Sequence, residues 1–121
     1  MDRKPGLGHT STLNTVNNLG NLYKDLGRYR EAEQMYQRAL QGKEGTWGLE
    51  HPSTLNTIHN LGNLYKDLGR HEEADKMYQR ALQGKEKALG PDHTSTLNTA
   101  KNLGNLYKDL GRLDKAQEMY R

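Results

Sequence analysis

Asn14, Asn17, Asn18 and Asn21 are spaced i, i+3, i+4 and i+7. On a helix, that spacing lines a single face. Forty-two residues on, the same pattern reads Asn56, His59, Asn60 and Asn63, and after another 42 it reads Asn98, Lys101, Asn102 and Asn105. Asparagine is a mediocre helix former because its side chain competes for backbone hydrogen bonds. Its repetition on one face therefore needs a reason. A side-chain amide both donates and accepts, so a row of them suits the N–H and C=O groups of an extended peptide. Each such bond contributes only about 0.5–1.5 kcal/mol net, so several must act together. The same amides could instead bond between neighbouring helices, and the sequence leaves both readings open. Lys24, Lys66 and Lys108 continue the stripe. They suit acidic groups on a ligand, or the negative end of the helix dipole. Lys101 beside Lys108 could clamp a carboxylate.

Other chemistry finds little support. His9, His51 and His93 recur once per 42 residues. A metal needs nitrogens about 2.0–2.1 Å away, whereas packed helices lie about 8–10 Å apart. Loop packing is the expected role. Gly42-Lys43 and Gly84-Lys85 are each followed by Glu, so no phosphate-binding loop with a Lys-Ser/Thr pair is formed. No Ser-His-Asp grouping stands out, and without cysteine there is no thiol nucleophile, thiolate metal site or disulfide. No enzymatic activity and no cofactor are expected.

The 121 residues divide as 1–8, 9–50, 51–92 and 93–121. The two complete units differ at 12 of 42 positions. Such a period marks a stacked repeat array. Residues 1–8 align with the tail of a preceding unit, and the last unit is truncated, so a segment of a longer array is expected. The hydrophobic fraction of 32% and the mean hydropathy of −1.08 would suggest disorder if read alone. The net charge of +3 would suggest a polyanion. Each complete unit is neutral, however, with five Lys/Arg against five Asp/Glu in the first and six against six in the second. A neutral repeat lacks the basic stripe that nucleic acid requires. No apolar run approaches the ~20 residues of a membrane helix, and the start has no signal-peptide core. A cytoplasmic location is expected.

Two helices per unit must position the stripe. Leu13, Val16, Leu19, Leu22, Tyr23 and Leu26 occupy the half of a helix opposite the asparagines. Ser11 and Thr12, Ser53 and Thr54, and Ser95 and Thr96 offer capping hydroxyls at its start. Gly27, Gly69 and Gly111 mark its stop. Ala32, Met35, Tyr36, Ala39 and Leu40 follow as a second amphipathic helix. Gly42 and Gly84 fall inside that second helix, where they permit close packing or a bend.

The string Val16-x2-Leu19-Gly20-x2-Tyr23-x8-Ala32-x3-Tyr36-x2-Ala39 resembles the tetratricopeptide repeat (TPR) signature. Ile58, Leu61, Gly62, Tyr65, Ala74, Tyr78 and Ala81 repeat it, as do Ala100, Leu103, Gly104, Tyr107, Ala116 and Tyr120. The first large position, often Trp in that family, is Val16, Ile58 or Ala100. The period is 42 rather than about 34. That period, with Gly90-Pro91-Asp92-His93 before the next helix, resembles the kinesin-light-chain type. The resemblance implies an all-α, right-handed solenoid of antiparallel helix pairs, with the first helix of each pair on the concave surface.

The expected activity is a protein-interaction scaffold holding an extended peptide or partner segment along that concave groove. Its expected contacts are Asn14, Asn17, Asn21, Lys24, Asn56, His59, Asn63, Lys66, Asn98, Lys101, Asn105 and Lys108. Three units at about 10 Å would span about 30 Å, room for about nine extended residues. The alternative is a structural or oligomerising solenoid that associates end to end through uncapped repeat ends.

Overall fold

The computed structural model describes residues 10–112 together with Lys115 and Met119. Five helices follow one another: α1 (Thr10–Asp25), α2 (Tyr29–Trp47), α3 (Pro52–Asp67), α4 (His71–Leu89) and α5 (Thr94–Asp109). No strand occurs among the described residues.

Each inner helix is framed by local signals. His51 and His93 are the N-caps of α3 and α5, and their Nδ1 atoms accept from the Ser53 and Ser95 amides at 3.0 Å. This corrects the expectation that hydroxyls cap these helices. The imidazole nitrogen takes the orphan donor of the first turn. The Thr54 and Thr96 hydroxyls are buried with no hydrogen-bond partner. The stop lies at Gly27, Gly69 and Gly111, with φ of +79°, +76° and +78°. There the Arg28 amide bonds the Tyr23 carbonyl at 2.8 Å, and Arg70 bonds Tyr65 likewise. These are left-handed closures that only glycine adopts without strain.

Consecutive helices pack antiparallel as pairs, and the pairs stack. The backbones of α1 and α3 touch, as do those of α3 and α5, whereas α2 and α4 stay apart. The stack therefore curves, with α1, α3 and α5 on its inner side. Its core runs unbroken from Ala32 and Tyr36 through Leu61, Leu64 and Tyr78 to Leu103 and Leu106. Gly62 lets the Tyr78 ring come within 2.8 Å of where a Cβ would stand. At Gly84 a Cβ would meet Leu55 at 2.5 Å, so this glycine serves close packing. Leu19 and Leu22 on α1 are 37% and 51% exposed, while their equivalents Leu61 and Leu64, covered by the preceding pair, are at 2% and 0%.

Candidate functional site: the inner helix face

The inner face carries the polar stripe, but its members meet different fates. Asn14, Asn56, Asn98, Lys101 and Lys108 are exposed. Asn56 and Asn98 line an open depression of about 330 Å³ together with Asn17, His59, Asn60, Lys85 and Ser95. Asn17 is half-buried in the seam between α1 and α3. Its Oδ1 accepts from the Thr57 hydroxyl at 2.9 Å and from Asn60 Nδ2 at 3.2 Å. Asn21 and Asn63 face the outer helices, where their amide oxygens accept from the Tyr36 and Tyr78 hydroxyls. Asn63 also accepts from Asn102 at 3.4 Å. Asn105 and Lys66 are half-buried. Lys24 reaches Asp67 on α3 at 3.7 Å.

Lysine residues absent from the sequence-level site also arrive here. Lys43 and Lys85 start on the outer helices, yet each is only 2% exposed. Lys43 Nζ donates to Thr57 Oγ1 at 3.0 Å and to the Ser53 carbonyl at 3.2 Å. Lys85 Nζ donates to Thr99 Oγ1 at 3.0 Å and to the Ser95 carbonyl at 3.5 Å. Burial lowers the Lys43 pKa and pushes that of Lys85 down to about 8, since desolvation penalises the charged amine. A signal for both was present: Ala32, Tyr36, Ala39 and Lys43 follow i, i+4, i+7 and i+11, so the lysine continues the buried stripe.

His59 occupies the position equivalent to Asn17. Its Nδ1 lies 2.7 Å from Thr99 Oγ1 and its Nε2 lies 2.8 Å from Asn102 Nδ2. The amide donates to Nε2, so the ring is neutral with its proton on Nδ1. Burial, and then the Lys85 charge, push its pKa down to about 4. Among the described residues no cluster of His, Cys, Asp and Glu could hold a metal. None of the described helices is long and apolar enough to cross a membrane.

Paired helices of this length, glycine stops and a 42-residue repeat coincide with a family match. The tetratricopeptide repeat family matches residues 2–45, 11–87 and 52–121. The chain belongs to the TPR family. No curated protein sequence matches it. Among solved structures, this TPR chain is similar to BtubC (BKLC) from P. vanneervenii, at 26% identity and a TM-score of 0.86. The match covers 93% of this chain and 45% of that one. It is also similar to the nearly identical TPR-like repeats of kinesin-light-chain type from Podosopora anserina, at 27% identity and a TM-score of 0.81. That match covers 93% of this chain and 53% of the other. The TPR chain thus spans about half the length of these structures. The N-terminal domain of stress-induced protein-1 from C. elegans, at 16% identity and a TM-score of 0.73, shares the fold. TPR repeats are generally protein–protein interaction modules, typically without enzymatic activity.

Proposed function

We propose that this TPR array is a scaffold that holds an extended peptide along α1, α3 and α5. The supporting observation is the open depression whose rim carries the exposed amides of Asn56 and Asn98. These two, with Asn14, Lys101 and Lys108, supply donors and acceptors to a peptide backbone and its polar side chains. Asn17, Asn21 and Asn63 serve the groove by holding its walls, because their oxygens are already engaged within the fold. A peptide along the stack would lie across successive inner helices, meeting Asn14, Asn56 and Asn98 in turn.

The test is selection of ligands from a random linear peptide library, followed by affinity measurement on the double variant Asn56→Ala and Asn98→Ala. Loss of two to four amide bonds is expected to weaken binding by about ten-fold or more. The helical circular dichroism signal and melting temperature should be unchanged, because both side chains are exposed. Unchanged affinity would contradict the groove reading.

A further inference from the structure

Both ring nitrogens of His59 on α3 meet partners on α5, and the neighbours fix which way each proton points. The Thr99 hydroxyl donates to the Ser95 carbonyl at 3.3 Å, so its oxygen is left to accept. It accepts from Lys85 Nζ at 3.0 Å and from His59 Nδ1–H at 2.7 Å. Nε2 then keeps its lone pair, and Asn102 Nδ2 donates to it at 2.8 Å. The second hydrogen of Nδ2 goes to Asn63 Oδ1 at 3.4 Å, which also accepts from the Tyr78 hydroxyl. The Asn102 amide is thus divided between His59 and Asn63, both on α3.

This arrangement has no place for a second ring proton. An Nε2–H would point straight at a hydrogen of Asn102. The new charge would also stand beside the Lys85 ammonium, which shares the Thr99 oxygen. From α4 the ring faces Lys85 and Tyr78, and from α5 it faces Thr99 and Asn102. From α1, Asn17 lines the same depression and is uncharged. No Asp or Glu is paired with the ring among the described residues. Burial and the Lys85 charge accordingly keep it neutral well into acid, with a pKa of about 4. The ring nevertheless lines the open depression, so solvent protons reach it.

The available relief is local. A half-turn of the Asn102 carboxamide exchanges its oxygen and nitrogen, and Oδ1 then accepts from Nε2–H. The same half-turn takes the Nδ2 donor away from Asn63. We propose that His59 is a proton-operated switch in the α3–α5 joint: a proton on Nε2 turns the Asn102 amide over and breaks its bond to Asn63. The α1–α3 joint has no such device. There Asn17 Oδ1 accepts from Thr57 and Asn60, with no ring between them. Acid therefore acts on one joint of the array and leaves its neighbour as it was. In the acid form two adjacent cations share the joint, so α5 is held less firmly against α3. The inference concerns contacts within the fold and does not depend on the groove reading.

Nuclear magnetic resonance of the full chain, titrated from pH 7 to pH 3.5, tests it. At pH 7 the ring is expected to carry its proton on Nδ1, with Nε2 bare. On acidification Nε2 should gain a proton with a midpoint near 4. The side-chain amides of Asn102 and Asn63 should shift with that same midpoint, while those of Asn17 and Asn60 do not follow it. Asn102→Asp offers Nε2–H a permanent acceptor and should raise the proton affinity of the ring at least ten-fold. His59→Asn should leave the Asn102 amide unmoved in acid. An Nε2–H tautomer at pH 7, or ring protonation with Asn102 unmoved, would overturn the proposal. So would equal movement at the two joints, an unchanged midpoint in Asn102→Asp, or an Asn102 shift that persists in His59→Asn. Loss of all helices before any local change would overturn it as well, and the titration of the unaltered chain decides the matter even if a variant fails to fold.

Discussion

The seam between α1 and α3 and the seam between α3 and α5 use the same threonine and the same buried lysine, but differ in one partner. In the first, Lys43 donates to Thr57, which donates on to Asn17, and Asn60 donates to the same amide oxygen. In the second, Lys85 and the His59 imidazole both meet Thr99, which donates back to the Ser95 carbonyl of its own helix. Replacing an amide by an imidazole reverses the direction of the threonine proton. It also adds an imidazole to a joint that, like the first, already holds a buried lysine, and Tyr78 packs edge-on against that ring with centroids 5.6 Å apart. Helix sequences that are nearly the same thus build two chemically distinct joints. The difference lies at one register position, occupied by Asn17, His59 and Lys101 in turn.

Removing the threonine hydroxyl breaks the comparison most severely. Thr99→Val leaves His59 Nδ1–H without its acceptor and Lys85 Nζ with only the longer bond to the Ser95 carbonyl, and is expected to cost about 2–4 kcal/mol. Thr57→Val leaves Lys43 its bond to the Ser53 carbonyl and Asn17 its bond from Asn60, so a smaller loss is expected. Urea unfolding of the two variants checks the order, and a larger loss at Thr57 would contradict the assigned proton directions.

Acid should separate the seams next. The folded chain holds the His59 pKa at about 4, against 6.5 for the free side chain. Between those values the unfolded chain takes up a proton that the folded chain refuses, so stability falls as pH drops from 6.5 towards 4. At pH 5 the loss from this group is about 2 kcal/mol relative to pH 7. The groups that face it are Lys85, Thr99, Asn102 and Tyr78, none of which changes charge in that window. His59→Asn copies the first seam and should abolish this part of the acid loss. Thermal melts at the two pH values in both proteins provide the check, and equal losses would count against the neutral imidazole.

The smallest effect belongs to the ion pair across the first seam. Lys24 and Asp67 lie 3.7 Å apart with side chains 25% and 41% exposed. Lys24→Ala is expected to cost less than about 0.5 kcal/mol, because solvent screens the pair. A loss above 1 kcal/mol in the same unfolding assay would show that the seam depends on this charge.

Much of this architecture was legible in the sequence. The 42-residue period, the two amphipathic patterns and Gly27, Gly69 and Gly111 gave the helices and their stops. The histidine caps were missed because hydroxyls stand nearby, and the choice of acceptor depends on the extended backbone at His51 and His93. Lys43 and Lys85 were missed because lysine on an amphipathic helix normally reads as solvated, although both continue a buried stripe. The asparagine stripe was legible as a face. Its division into wall (Asn17, Asn21, Asn63) and rim (Asn56, Asn98) was not, because that depends on where Tyr36, Tyr78 and Thr57 deliver their hydroxyls.

The groove reading requires the inner face to be the one that binds. Amide chemical-shift mapping during titration of a library-selected peptide tests this directly. A binding inner face gives shifts centred on the side-chain amides of Asn56 and Asn98 and on the backbone of α3 and α5, with little change on α2. A footprint centred on the outer surfaces of α2 and α4, with Asn56 and Asn98 unmoved, would contradict it.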